Sequence, residues 1–362
     1  MYQNRGRTWG ANIRCLWMLG CLVAASTPAL AQSTVNLQMD GGTFAKAMRE
    51  AVLDPAEKEL GIKISVDSNS GNGIADLRAQ VASGRPTIDI MSQGGYSAPM
   101  VEKEGLLEPL DYKAIDVSAM PTSSYGKSWV AAYEFSAVLT WNTETLKQAV
   151  RTPPTSLAAL WDFKTYPGKR AIRRRPLYAL EAAMIADGVV PTEVYTALAA
   201  PGGIDRAFKK LEELKPHVAV WWTSGAQSAQ LMKDAEADLG MLWDGRAKGL
   251  KNAGAPVDFT YAQQILQVDC WVIPKGAPNR DAAMKLLAYM MRPEVQARFA
   301  MATGGYPPSN PKAYDTGIIT SEARQQMSGT PERRKMAIIQ DVNWWAANIE
   351  AVEKRFTSFL QQ

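Results

Sequence analysis

The stretch QVDCWVIPKGAPN, residues 267–279, sets a carboxylate, Asp269, and an indole, Trp271, at the start of a short apolar run that ends at Pro274. Carboxylates and aromatic faces are the surfaces that hold an organic ammonium ion. A desolvated cation–π contact contributes about 0.5–2 kcal/mol, and losing a buried charged partner costs about 2–5 kcal/mol. The competing reading is packing, in which Asp269 only caps the approach to a strand. A regular strand puts Asp269 and Trp271 on one face, because side chains alternate with a period of two.

Other residues carry the same chemistry. Trp243 in LWDGR follows the apolar Met241 and Leu242, but the chain turns at Asp244-Gly245, which favours an exposed ring. Trp222 and Thr223 in WWTSG stand at another strand end, where one of Trp221 and Trp222 belongs to the core. Ser92 and Tyr96 in SQGGY and Thr43 in DGGTF add hydroxyls and a ring. Glu134 in AAYEFSAV is a second acid, and Asn343 in QDVNWW a further polar candidate. Of opposite sign are Arg175, beside Tyr178 in RRRPLYAL, and Arg246 in WDGRA. Arginine binds carboxylates and phosphonates through two parallel hydrogen bonds. The rest of the basic runs, GKRAIRRRP and PERRKM, read as solvated surface.

Some chemistries have little to work with. His217 is the only histidine and reads as a turn residue after Pro216. Cys270 is the only cysteine beyond residue 31. A zinc site or a Ser-His-Asp triad is therefore not expected. SGNGIADL is not a phosphate loop, and no cofactor and no enzymatic activity are expected.

The elements that must position these residues begin after an export signal. Arg5, Arg7 and Arg14 precede the apolar CLWMLGCLVAAS, and TPALA offers a small-x-small site ending at Ala31. That is the pattern of a cleaved secretory signal over residues 1–31, and it places the protein in the periplasm. Cleavage takes Cys15 and Cys21 away, so no intramolecular disulfide can form. It also takes three arginines from the 40 basic residues, leaving 37 against 36 acidic ones. A chain so near neutrality carries no electrostatic footprint for nucleic acid.

Beyond the signal, short apolar strands alternate with amphipathic helices. TVNLQMD, GIKISVDSN and TIDIMSQ read as strands; TFAKAMREAVLDPAEKEL, GIADLRAQVASG and GGIDRAFKKLEELKP read as helices. This alternation implies α/β architecture with mostly parallel sheets flanked by helices. Ligands on such sheets bind at the carboxyl ends of the strands, where SQGGY and DGGTF lie. The chain runs through one lobe, a second, and back to the first, which creates a cleft and a hinge.

Taken in order, GGTFAKAMREAVLDPAEKELGIKI, IDIMSQGGYSAPMVEKEGLLEPLD, YPGKRAI, LEAAMIADGV, MLWDGRA and the tail DCWVIPKGAPNRDAAMKLLAYMMRPEVQARFA…GGYPPSN resemble a known family. The resemblance is to periplasmic solute-binding proteins of ABC importers, in the group that contains spermidine/putrescine-binding proteins. It implies two α/β lobes closing over a small solute, with a membrane permease and its ATPase as partners. It places lobe 1 at residues 32–136 and 265–310, lobe 2 at 137–264, and bracing helices at 311–362. The strands crossing between lobes would fall near Tyr133–Trp141 and Ala262–Asp269. A monomer is expected, since clefts that close need free lobes.

The resemblance also implies that Asp269 and Trp243 face the cleft, and that Tyr96 and Ser92 lie where the first lobe offers a hydroxyl. The chain departs from the polyamine pattern in two places. Gln267 stands where the family has a tryptophan, and Arg175 and Tyr178 stand where paired acids are expected. Asp269 together with Arg175 or Arg246 suits a zwitterion such as a short ω-amino acid better than a diamine. Glu134, beside the first crossing, would restore a second acid. An anion such as a phosphonate or carboxylate is the main alternative solute. Ferric iron is a weaker one, since no Tyr-Tyr pair occurs.

Overall fold

Runs rich in Val, Ile and Leu favour extended backbone, and they form nine strands among the described residues of the computed structural model, 33–68, 73–149 and 152–362. The expected signal at 1–31 lies outside those residues. The strands are β1 (Thr34–Gln38), β2 (Lys63–Asp67), β3 (Ile90–Gly94), β4 (Trp129–Asn142), β5 (Arg170–Arg173), β6 (Val218–Trp222), β7 (Leu239–Trp243), β8 (Val257–Val272) and β9 (Ile338–Ile339). They hydrogen-bond in the order β2-β1-β3-β8-β4-β7-β5-β6, with β9 on β8.

The pairing divides this sheet into two halves. β1 pairs in parallel with β2 and β3, and β5 in parallel with β6 and β7. Between these groups β4 and β8 run antiparallel to each other for most of their length. Each is long enough to serve both halves: β3 joins one end of β8, and β7 joins the far end of β4. The two mostly parallel halves are thus fused through crossing strands into one hydrogen-bonded sheet. The crossing ladder is broken by register shifts between Ala131 and Tyr133 and between Ala137 and Leu139. Such bulges bend a strand and re-aim its side chains.

The helix expected over TFAKAMREAVLDPAEKEL is interrupted by a π turn, Arg49–Leu53, between Gly42–Met48 and Asp54–Leu60. The cause is Pro55, which has no N–H to offer the carbonyl of Ala51. Arg298 Nε donates to that carbonyl instead, at 3.4 Å.

The C-terminal helix, Val342–Gln361, is capped by Asp341, whose Oδ1 accepts from the backbone N–H of Asn343 and Trp344 at 3.0 and 2.9 Å. Trp345, Ile349, Val352 and Phe356 recur at helical spacing and enter the core of the second half. Val342, at its start, enters a cluster with Met91 and Val272 of the first half. Burying each such large side chain contributes about 1.5–3 kcal/mol. One helix therefore ties both halves together behind the crossing strands. Among the described residues no helix is long and apolar enough to cross a membrane.

Candidate ligand-binding site

Parallel strands end where their loops begin, and the carboxyl ends of β1, β3, β5 and β7 converge on the middle of β4 and β8. The cavity there measures about 730 Å³, within the range of small-molecule sites. Asp269, Trp243, Tyr96, Thr43, Arg175, Tyr178 and Arg246, all expected from sequence, line it.

Asp269 lies opposite Tyr133 in the β4–β8 ladder, and the Tyr133 hydroxyl donates to its Oδ2 at 2.9 Å. Burial pushes the Asp269 carboxyl up to about 7; Tyr133 opposes that rise, Asp40 adds to it, and Arg173 opposes it. Phe44, Tyr133 and Tyr306 surround this end, with ring centroids 5.2–5.7 Å apart. The first-half wall therefore offers two carboxylates and an aromatic box.

The second-half wall carries arginines; the buried Asp244 also lines it, and Lys248 pairs with that carboxylate at 3.6 Å. Arg173, the last residue of β5, lies over the rings of Tyr178, Trp243 and Trp222 at 5.1, 5.3 and 5.9 Å. Its Nε has no protein partner. Arg175 also lines the cavity, but its guanidinium is held by Glu353 of the C-terminal helix and donates to the Tyr96 hydroxyl at 3.0 Å. Tyr178 is fully buried with φ of +75°, a conformation rare outside glycine. The buried carboxylate of Glu181 pins it by accepting from its backbone N–H at 2.8 Å. Burial raises the Glu181 carboxyl above its ordinary value.

Six expected residues lie elsewhere. Thr223 is exposed just past the end of β6, where its hydroxyl donates to Gln227 Oε1 at 3.3 Å. Trp222 is fully buried, edge-on to Trp243 at 5.8 Å, and supports the cavity wall from behind. Ser92 stops two residues short of the end of β3, which runs on to Gly94. Trp271 lies beyond Asp269 in the first-half core with Met48, Val52 and Phe299. Glu134 falls between Tyr133 and Phe135, which line the cavity, so alternation sends it to the opposite side of the sheet. There it pairs with Arg334. Asn343 is exposed in the first turn of the C-terminal helix and lines a separate surface groove with Pro99 and Lys103.

Sequence reasoning missed Asp40, Phe44, Tyr133, Arg173, Tyr306 and Gln340, all of which line the cavity. The strand-end rule could have found Asp40 and Arg173, which stand at the exits of β1 and β5. Tyr133 and Gln340 depend on pairing between distant segments. Among the described residues no three His, Cys, Asp or Glu side chains are grouped to hold a metal ion.

Two α/β halves joined by crossing strands, with a polar cavity where their strand ends meet, define a bilobal solute receptor. The chain belongs to the family described as bacterial extracellular solute-binding protein, whose model matches residues 51–326. It is similar to an ABC transporter substrate-binding protein from Bradyrhizobium japonicum USDA 110, at 39% identity and a TM-score of 0.85, covering 91% of this chain and 100% of that one. It is also similar to MotA from A. tumefaciens B6 in complex with glucopine, at 36% identity and a TM-score of 0.79, covering 90% and 99%. The gamma-aminobutyric acid-binding protein of Pseudomonas aeruginosa is 28% identical over 346 residues, 95% of each chain. These relatives are solute-binding proteins, and such proteins deliver small solutes to ABC permeases.

Proposed function

We propose that this chain is the periplasmic receptor of an ABC importer and that its solute is a small zwitterionic amino compound. The carrying observation is the opposition of charge across one cavity, with Asp269 and Asp40 on the first-half wall and Arg173 on the second, where the one further carboxylate of the lining, Asp244, is paired by Lys248. An ammonium group meets Asp269 within the Phe44–Tyr133–Tyr306 box, and a carboxylate meets the guanidinium of Arg173. A diamine would set its second ammonium against that arginine. The glucopine complex and the γ-aminobutyrate-binding relative support a solute that carries an amino group.

Within this reading residues 1–31 are a cleaved export signal. Lobe 1 comprises 32–136 and 265–310, lobe 2 comprises 137–264, and 311–362 braces them. The protein acts as a monomer without catalysis, closing over its solute and handing it to a permease and its ATPase. It has no nucleic-acid partner.

The test is a thermal-shift panel on the protein lacking residues 1–31, at low salt. The panel holds γ-aminobutyrate, glucopine, putrescine, spermidine, aminoethylphosphonate and succinate. A ligand at about 100 times its Kd stabilises by roughly 2.7 kcal/mol, which raises the melting temperature measurably. The zwitterions γ-aminobutyrate or glucopine are expected to give the shift. A shift with the diamines alone, or with succinate alone, would sink the reading.

A further inference from the structure

Gln267 and Gln340 line the cavity, and the amide nitrogen of each, Nε2, is buried with no hydrogen-bond partner in the protein. Their residues are only 7% and 6% exposed, and buried donors are costly to leave unpaired. The orientation of the Gln267 amide follows from its neighbours. The indole N–H of Trp243 can only donate, and it donates to the Tyr178 hydroxyl at 3.0 Å. The Tyr178 O–H lies 2.9 Å from Gln267 Oε1 and donates its proton there. Gln267 therefore spends its oxygen on Tyr178, and its NH₂ group is left without a protein partner. Tyr178 cannot easily turn away, because its backbone is anchored on Glu181, which also accepts from Tyr195 at 2.7 Å and Trp345 at 2.9 Å.

Gln340 follows β9, and its backbone N–H donates to Leu266 O at 2.8 Å, the residue next to Gln267. Two amide donors thus approach the cavity from adjacent strands. Asp269 stands two residues from Gln267 on the same face of β8, about 7 Å along the strand. An acceptor for ammonium and a donor for oxygen are thereby set side by side, separated by a few bond lengths.

We propose that Gln267, oriented by the Trp243–Tyr178 relay and assisted by Gln340, is the specificity-determining residue that donates to an oxygen of the ligand and rejects diamines. This rests on the reading that the solute's ammonium group sits at Asp269. A site built to hydrogen-bond an oxygen discriminates against a ligand without one, because its buried donors then stay unpaired. The spacing suits a ligand whose ammonium group and accepting oxygen are several atoms apart, as they are in γ-aminobutyrate.

The experiment is calorimetric titration of γ-aminobutyrate and putrescine, chains of the same length, into wild type, Gln267→Glu and Tyr178→Phe. Wild type is expected to prefer γ-aminobutyrate. Gln267→Glu presents a carboxylate in place of the donor, and the ratio of the two Kd values should move at least roughly 100-fold towards putrescine. Tyr178→Phe frees the amide to turn and should relax the ratio about 10-fold. A general loss of folding would weaken both ligands together and leave the ratio alone, so the ratio isolates specificity. If wild type binds γ-aminobutyrate and both variants keep its ratio within about threefold, the inference falls while the zwitterion reading stands. If wild type prefers putrescine, or binds no amine of the panel, both fall.

Discussion

The two walls of the cavity solve the problem of holding charge in opposite ways. On the first-half wall Asp269 accepts from Tyr133 and faces Asp40, and burial raises its carboxyl to about 7. That charge is costly until a cation arrives. On the second-half wall Arg173 is held over three aromatic rings and needs no counter-ion to stay in place. One wall therefore waits for its partner, and the other is organised in advance. A ligand with an ammonium group relieves the first wall, and its carboxylate meets the guanidinium on the second.

Removing the waiting charge should produce the largest effect. Asp269→Asn is expected to weaken a zwitterionic ligand by roughly 10²–10³-fold, the range for losing one partner of a buried charged pair. The same substitution should stabilise the unliganded protein at alkaline pH. Asp269 holds its proton up to about pH 7 when folded, whereas an unfolded aspartate releases it near its ordinary value of 3.8. Between those values the unfolded state binds fewer protons, so the wild-type contribution to stability falls as pH rises and is flat above about 7. Paired melts of unliganded wild type and Asp269→Asn should show the variant's advantage growing across that window. A constant or reversed difference would mean that Asp269 is not desolvated as described.

The next effect separates two arginines that are close in sequence. Arg173→Met keeps the packed stem but removes the charge, and should weaken a zwitterion by about 10–100-fold while leaving a diamine unaffected or improved. Arg175→Met should cost less than about 10-fold in affinity, since Glu353 already neutralises that guanidinium. It should instead lower the melting temperature, because Arg175 joins the β5 exit to Tyr96 and to the C-terminal helix. Calorimetry and melts on both variants decide the matter. An Arg175 variant that loses more affinity than the Arg173 variant would reassign the anion-binding role.

This arginine run also marks how far the sequence could be read. Alternating apolar strands and amphipathic helices implied the α/β class, and family resemblance pointed to Asp269 and Trp243, which line the cavity. RAIRRR, however, does not divide itself into roles. Arg170 is fully buried and donates to the carbonyls of Leu160, Gly168, Ala159 and Tyr166. Arg173 enters the cavity, Arg174 is exposed, and Arg175 takes Glu353. Strand-end position decides among them, and a boundary uncertain by one residue exchanges a wall for a surface. Tyr133 was hidden for a different reason: it meets Asp269 only through a ladder joining segments 136 residues apart. The helix over residues 43–60 was legible in extent, yet the π turn forced by Pro55 was not anticipated.

The smallest expected effect belongs to Glu134, and it tests the parity argument directly. Read from sequence, this acid joins Asp269 in the cavity; in the fold its neighbours Tyr133 and Phe135 take the cavity and Glu134 turns to Arg334. Burial outweighs that arginine and pushes the Glu134 carboxyl up to about 7. Glu134→Gln keeps the shape and an acceptor for Arg334, so ligand affinity should stay within about threefold, the scale of a remote uncoupled site. The change should appear in the pH dependence instead. Wild-type Glu134 gives up its proton later in the folded chain than in the unfolded one, so it too makes stability fall as pH rises towards about 7. Glutamine removes that contribution, and the decline in unliganded melting temperature from acid to neutral pH should become shallower. Because Glu134 and Asp269 lie on opposite sides of one sheet, the two gains should add in the double variant. A loss of affinity in Glu134→Gln comparable to that of Asp269→Asn would instead return Glu134 to the cavity and make both walls share one acidic centre.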